Sequence, residues 1–235
     1  MFKLFGEKCN IKFHCDPKCK GIIPEPYPAK KLMPDWYKKL ESFTAKPSEL
    51  KFRGSTLKRC PPFLDAMSVG WIIPLAADVK FIVQDDGAGV QWNTEFFFKM
   101  VDSHSIEQIK THPNVPKVPL KILNHWIVET PPGWSCLFVP PLNRPDKHLD
   151  LMAGLVETDK YFEYINFPGF MKIPEGNIQL DAGYPLMQCI PFRRNIGKDA
   201  VIAALSEKNQ LRLQRTRDKR TSNISLYRDH LWEKK

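Results

Sequence analysis

The sequence predicts one mainly β domain, of β-clip or β-sandwich type, with a proline-rich N-terminal arm before it and a basic helix after it. Three observations carry this expectation. Twenty-one prolines stand against twelve glycines in 235 residues, and proline interrupts helices and central strands while stiffening the connections between short ones. Residues 119–193 read as six short runs, "PLKILNHWIVET", "SCLFVPP", "LMAGLVET", "YFEYINF", "NIQL" and "PLMQCIPF", parted by Pro and Gly turns, which is the rhythm of a sandwich or barrel-like β core. After Arg194 proline disappears and helical spacing takes over. A hydrophobic content of 43% suffices for a core at this length.

The elements follow in chain order. Residues 1–50 are expected to form the arm, because four prolines between 24 and 34 force an extended path. Pro34 and Asp35 then suit a helix start, and Trp36, Leu40 and Phe43 repeat at helical spacing. Residues 51–194 are expected to form the β core. "PPFLDAMSVG" allows one helical turn, and "VKFIVQ" followed by "DDGAGV" signals a hairpin whose returning strand would be "TEFFFKMV". "MAGLVETDKYFEYINF", 152–167, reads as strand, turn and strand. Residues 195–235 are expected to hold a helix, apolar in its first half with Val201, Leu205 and Leu211 near one face and basic in its second.

Charge and absent motifs narrow the function. The chain carries a formal net charge of +9, and residues 208–235 hold nine Lys/Arg against three Asp/Glu, so most of the excess sits in the tail. Such a tail can attract nucleic acid or an acidic partner, although most basic tails are simply solvated. No Walker phosphate loop, G-x-S-x-G elbow or H-E-x-x-H occurs. The longest apolar runs, such as "VGWIIPLAA" at 69–77, contain proline and are too short for a bilayer span, and "MFKLFGEKCN" lacks the apolar segment of a signal peptide. A cytoplasmic protein with no membrane association is the expectation, and homo-oligomerisation is compatible with it. No cofactor is specified.

Several side chains invite chemistry. Cys9, His14, Cys15 and Cys19 are atoms zinc accepts, with a distant Cys60, but the C-x5-C-x3-C spacing has no second knuckle, and free or packed thiols are the default. Cys136 lies in an apolar strand and reads as core. His104, Glu107 and His112, with His125 or His148 arriving from another strand, could form the two-histidine, one-carboxylate set of a cupin-like metal-dependent oxygenase, although H-x-D/E is absent. His104 and Gln108 are also candidates for ligand binding. Arg193 and Arg194 follow "QCIPF" at a strand end, where their forks could take phosphate or simply pair with Glu157, Asp159 or Asp181.

Two resemblances add to this. "PPLNRPDKHLDLMAGLVETDKYFEYINF" and "IQLDAGYPLMQCIPF" resemble successive motifs of trimeric dUTPases and dCTP deaminases over residues 140–192. The resemblance implies a nucleotide-binding hairpin with Glu157 and Asp159 as the catalytic acids, and Asn143 and Gln188 as phosphate contacts. Glu157 stands where those enzymes have aspartate, and Leu142-Asn143-Arg144 where they have R-S-G. Over nearly its full length, through "PEPYPAKKLMPDWYKKL", "KRCPPFLDAMSVGWIIPLAADV", "TPPGWSCLFVPPLNR", "GLVETDKYFEYINFP", "AGYPLMQCIPFRR" and "YRDHLWEKK", the chain resembles a family of uncharacterised proteins of tailed phages, notably those of marine and cyanobacterial hosts. That resemblance implies a phage or bacterial cytoplasm and carries no activity. The expected role is binding a phosphate-bearing or nucleotide-like ligand in a groove near Asn143, Glu157, Asp159, Gln188 and Arg193. The alternatives are a non-enzymatic virion or host-interaction protein and the cupin-like oxygenase.

Overall fold

The computed structural model describes residues 3–4, 7–44, 54–194, 200–223 and 225–233. Its body is mainly β, built from open antiparallel sheets of five, four and three strands and two two-stranded ribbons. The five-stranded sheet runs Gly154–Val156, Trp134–Val139, Pro185–Arg193, Trp71–Pro74, Tyr27–Pro28. The four-stranded sheet runs Leu149–Leu151, Phe167–Met171, Leu120–Ile122, Val101–Ser103, and the three-stranded sheet Gly176–Leu180, Val79–Gln84, Gly89–Asn93. In Val79–Gln84 the side chains alternate: Val79, Phe81 and Val83 are buried, Lys80, Ile82 and Gln84 exposed, as a half-covered strand requires. Phe81, Phe138 and Phe167, one from each large sheet, belong to one core, and burial of each such ring stabilises by about 1.5–3 kcal/mol.

Two local devices set the strand paths. Asp85 and Asp86 at φ +51° and +53°, then Gly87 at +83°, turn the chain, because aspartate and glycine tolerate the left-handed region. The hairpin therefore closes with Gln84 opposite Gly89. Gly70 sits at φ +75°, where a Cβ would lie 2.1 Å from the Cys189 carbonyl oxygen, so only glycine lets the adjoining strand approach Pro185–Arg193.

The chain divides into two compact units, Met1–Met33 with Met67–Arg194, and Pro34–Ala66 with Asn195–Lys235. The first is the β unit. The second holds α1 (Asp35–Lys39), the first six residues of α2 (Pro61–Ser68), and α3 (Glu207–Ser222). Charge is segregated between them. The second unit carries seventeen Lys/Arg against nine Asp/Glu, a net of +8, and the β unit eighteen against seventeen, a net of +1.

Several expectations change. The arm is split at Met33: Lys12–His14 pairs with Ile127–Glu129, and Tyr27–Pro28 edges the five-stranded sheet, since an extended proline-rich segment docks well at an edge. The return strand of the hairpin is Gly89–Asn93, not "TEFFFKMV", because the tight turn starts pairing at Gly89. "PLKILNHWIVET" is two strands in different sheets, separated at Asn124, whose side chain brackets Trp126 through its N–H (3.0 Å) and carbonyl (2.6 Å). The 152–167 stretch is no hairpin: Gly154–Val156 pairs with Trp134–Val139, and Phe167–Met171 joins the four-stranded sheet. α2 makes two turns rather than one. α3 starts only at Glu207, where the Ser206 hydroxyl accepts from the Asn209 N–H at 3.3 Å, and Val201 is 93% exposed outside it. Residues 195–199 of the expected helix lie outside the described residues.

Candidate nucleic-acid interface

The groove expected in the β unit does not assemble from the residues proposed for it. Asp159 is a structural acid, its side chain 5% exposed. Both its oxygens accept from the Arg194 fork at 2.5 Å, and the Gly133 N–H donates to it at 2.8 Å. The Arg194 fork, aided by that amide, holds the Asp159 carboxyl down to about 2 despite its burial. Arg194 also donates to the Trp134 carbonyl at 2.7 Å and to the Ser135 hydroxyl at 3.2 Å. The cluster ties the ends of two strands to the 157–160 turn, the pairing alternative foreseen for this arginine. Glu157 is exposed in that turn, where its carbonyl accepts from the Lys160 and Tyr161 N–H groups.

Gln188 is buried at 1% exposure and acts as a staple. Its carbonyl oxygen accepts from the Leu142 N–H at 2.9 Å and its amide donates to the Val69 carbonyl at 2.6 Å. Asn143 is exposed beside it at φ +58°. Arg193 pairs with Trp134 where Gln188 pairs with Val139. Five residues along an uninterrupted strand span about 17 Å and reverse the face, so these two side chains do not line one groove. His104 and Gln108 bond to each other at 3.1 Å, and Gln108 accepts from the Ser105 N–H at 3.2 Å, closing a capping box beyond Val101–Ser103 in the four-stranded sheet. Among the described residues no three His, Cys, Asp or Glu side chains gather into a metal-binding group. The oxygenase and zinc readings therefore lack a ligand set there. Cys136 is wholly buried, as its apolar strand predicts.

The second unit has a different character. Tyr37 stacks on Phe63 with centroids 5.9 Å apart, and Trp36 meets both edge-on. Lys58 lies over the Tyr37 ring at 4.7 Å and donates to the Tyr37 carbonyl at 2.9 Å. Arg59 lies over the Phe43 ring at 4.4 Å and donates to the Ser225 hydroxyl at 2.7 Å. The Trp232 indole N–H donates to Asp65 at 3.0 Å. The C-terminal segment is thus bound to residues 59–65 by named contacts.

α3 is held quite otherwise. None of its sixteen residues is buried, so no apolar face fixes it. At about 100° per residue, Lys208, Arg212, Arg215 and Lys219 fall within an arc of roughly 60°, a line about 16 Å long. All four are exposed, and none has a carboxylate at ion-pair distance among the described residues. The two acids of the helix, Glu207 and Asp218, lie on another side, and Asp218 accepts from the Gln214 amide at 2.9 Å. Like charges at i and i+4 repel by about 0.2–0.5 kcal/mol per pair, and Lys208–Arg212 and Arg215–Lys219 are both of this kind. An anionic partner lying along the line relieves that repulsion. The sequence already placed the excess charge in the tail; its alignment on one helical face becomes visible once α3 is bounded at Ser206.

On the neighbouring flank of α3, Thr216 and Arg220 help line a half-open cleft of about 760 Å³ within the second unit. A second depression of about 520 Å³ lies on the outer face of the three-stranded sheet, lined by Lys80, Ile82, Gln91, Asn93, Asn177 and Gln179 among others. Its exposed lining is mainly apolar, with four amides and one cation around it. No helix among the described residues is long and apolar enough to cross a membrane. No family model, curated protein or solved structure matches the chain.

Proposed function

We propose that the protein binds nucleic acid through its phosphate backbone, with the cationic line of α3 as the contact. The observation that carries this reading is the alignment of Lys208, Arg212, Arg215 and Lys219 without acidic partners among the described residues, in a unit of net charge +8. A polyanion that approaches such a line releases its condensed counterions, and this release supplies most of the affinity of sequence-independent binding. The phosphate-bearing ligand expected from the sequence is retained in this reading, but its contacts move from the β unit to α3. The test is fluorescence anisotropy of a labelled oligonucleotide with the native chain and with the variant Lys208→Gln, Arg212→Gln, Arg215→Gln, Lys219→Gln. Glutamine preserves helix propensity. Loss of binding in the variant with an unchanged far-UV spectrum supports the reading, and undiminished binding rejects it.

A further inference from the structure

We infer that the cleft beside α3 receives one unstacked base, so that the nucleic acid bound is single-stranded. This rests on the reading of α3 as a phosphate-binding line and specifies the ligand of the same unit.

The walls of the cleft carry Leu57, Tyr227 and Leu231, which remain 49%, 47% and 56% exposed. Apolar side chains grouped in one concavity while still open to water fit a ligand with flat apolar faces. The volume of about 760 Å³ lies in the range of small-ligand sites, roughly 300–1,000 Å³. Arg220 also lines the cleft, with no carboxylate at ion-pair distance among the described residues. Its companion Arg59 is already engaged by Ser225 and the Phe43 ring.

An apolar slot with a guanidinium among its lining groups matches the chemistry of a nucleotide, whose base offers a π-face and whose phosphate offers the charge. Continuity with the line supports the same occupant. Lys219 ends the line and Arg220, the next residue, lines the cleft, so a backbone that follows the line arrives beside it. A duplex keeps its bases stacked and cannot present a face to the slot, whereas a single strand can.

The experiment compares three labelled probes of equal length: oligothymidylate, an abasic deoxyribose-phosphate strand, and a duplex. Oligothymidylate is expected to bind about five- to a hundredfold more tightly than the abasic strand. Tyr227→Ala is expected to abolish that difference while leaving abasic-strand affinity as it was, with an unchanged far-UV spectrum and urea midpoint showing that the variant folds. Tyr227→Phe is expected to keep the difference, since the ring remains. Equal affinity for thymidylate and abasic strands, with binding intact, overturns the cleft inference and leaves the backbone reading standing. Failure of both strands to bind overturns the backbone reading, and the inference with it. Preference for the duplex also overturns the inference.

Discussion

Both units hold cation–carboxylate pairs, and the second has Lys38 with Asp35 at 3.1 Å and Arg228 with Asp229 at 2.8 Å. In the β unit some cations face carboxylates and one pair is shielded from water. Arg194 grips Asp159, Lys12 and His14 share Glu129 at 2.8 and 2.7 Å, and Lys99 meets Asp102 at 3.0 Å. Along α3 four cations stand in a row, and none has a carboxylate at ion-pair distance among the described residues. The β unit combines a large apolar core with nearly balanced charge; the second unit combines a small aromatic cluster with a net of +8. On the proposed reading, the charge left open along α3 meets an anionic partner. Exposed pairs such as Lys12 with Glu129 contribute little either way, so the contrast rests on the Arg194 fork and on the α3 line.

Substitutions on the two sides of this contrast should separate stability from binding. The largest effect is expected from Gly70→Ala, which forces a Cβ against the Cys189 carbonyl at a positive φ. Destabilisation of the β unit by about 3 kcal/mol or more should follow in urea unfolding, and a stability near that of the native chain would mean the strand can shift aside. Asp159→Asn should cost about 1–2 kcal/mol, because the Arg194 fork and the Gly133 amide lose an ionised acceptor, while oligonucleotide affinity stays constant. A drop in affinity would return Asp159 to the binding site.

The pH dependence runs the same way. The carboxyl of Asp159 lies at about 2 in the folded chain, below its unfolded value near 3.9. Its contribution is present above pH 4 and fades as pH falls through the range from about 4 to 2. Acid unfolding followed by tryptophan fluorescence should therefore lose that component in Asp159→Asn. The smallest effect is expected from Leu211→Gln on the exposed surface of α3, within about 0.5 kcal/mol of native stability. A larger loss would reveal an apolar partner for the helix.

Much of this architecture was legible. Proline punctuation announced short strands, Asp85-Asp86-Gly87 announced a hairpin, and Pro34-Asp35 a helix start. Strand partners were not, because alternation tells which face of a strand is buried and not which strand lies beside it. Gln188 shows this: it lies in the segment that resembles a phosphate motif, yet in the structure it joins Leu142 to Val69. Asp159 and Arg194 are thirty-five residues apart, and their pairing was one of several open to those arginines. The helix start was misplaced because Val201 and Leu205 imitate an apolar face that nothing covers, while Ser206 supplies the cap. The tail's charge was plain in composition; that residues 34–66 add to it depends on nonlocal contacts.

The most direct test of the central claim is the salt dependence of oligonucleotide affinity. Four phosphate contacts predict a slope of log K against log salt near −2.8 for a single strand, or near −3.6 for a duplex, so binding weakens roughly 50- to 150-fold between about 50 and 200 mM. In the four-glutamine variant the slope should shrink by about those values along with the affinity. A slope that is the same in both proteins would place the phosphate contacts somewhere other than α3 and contradict the account.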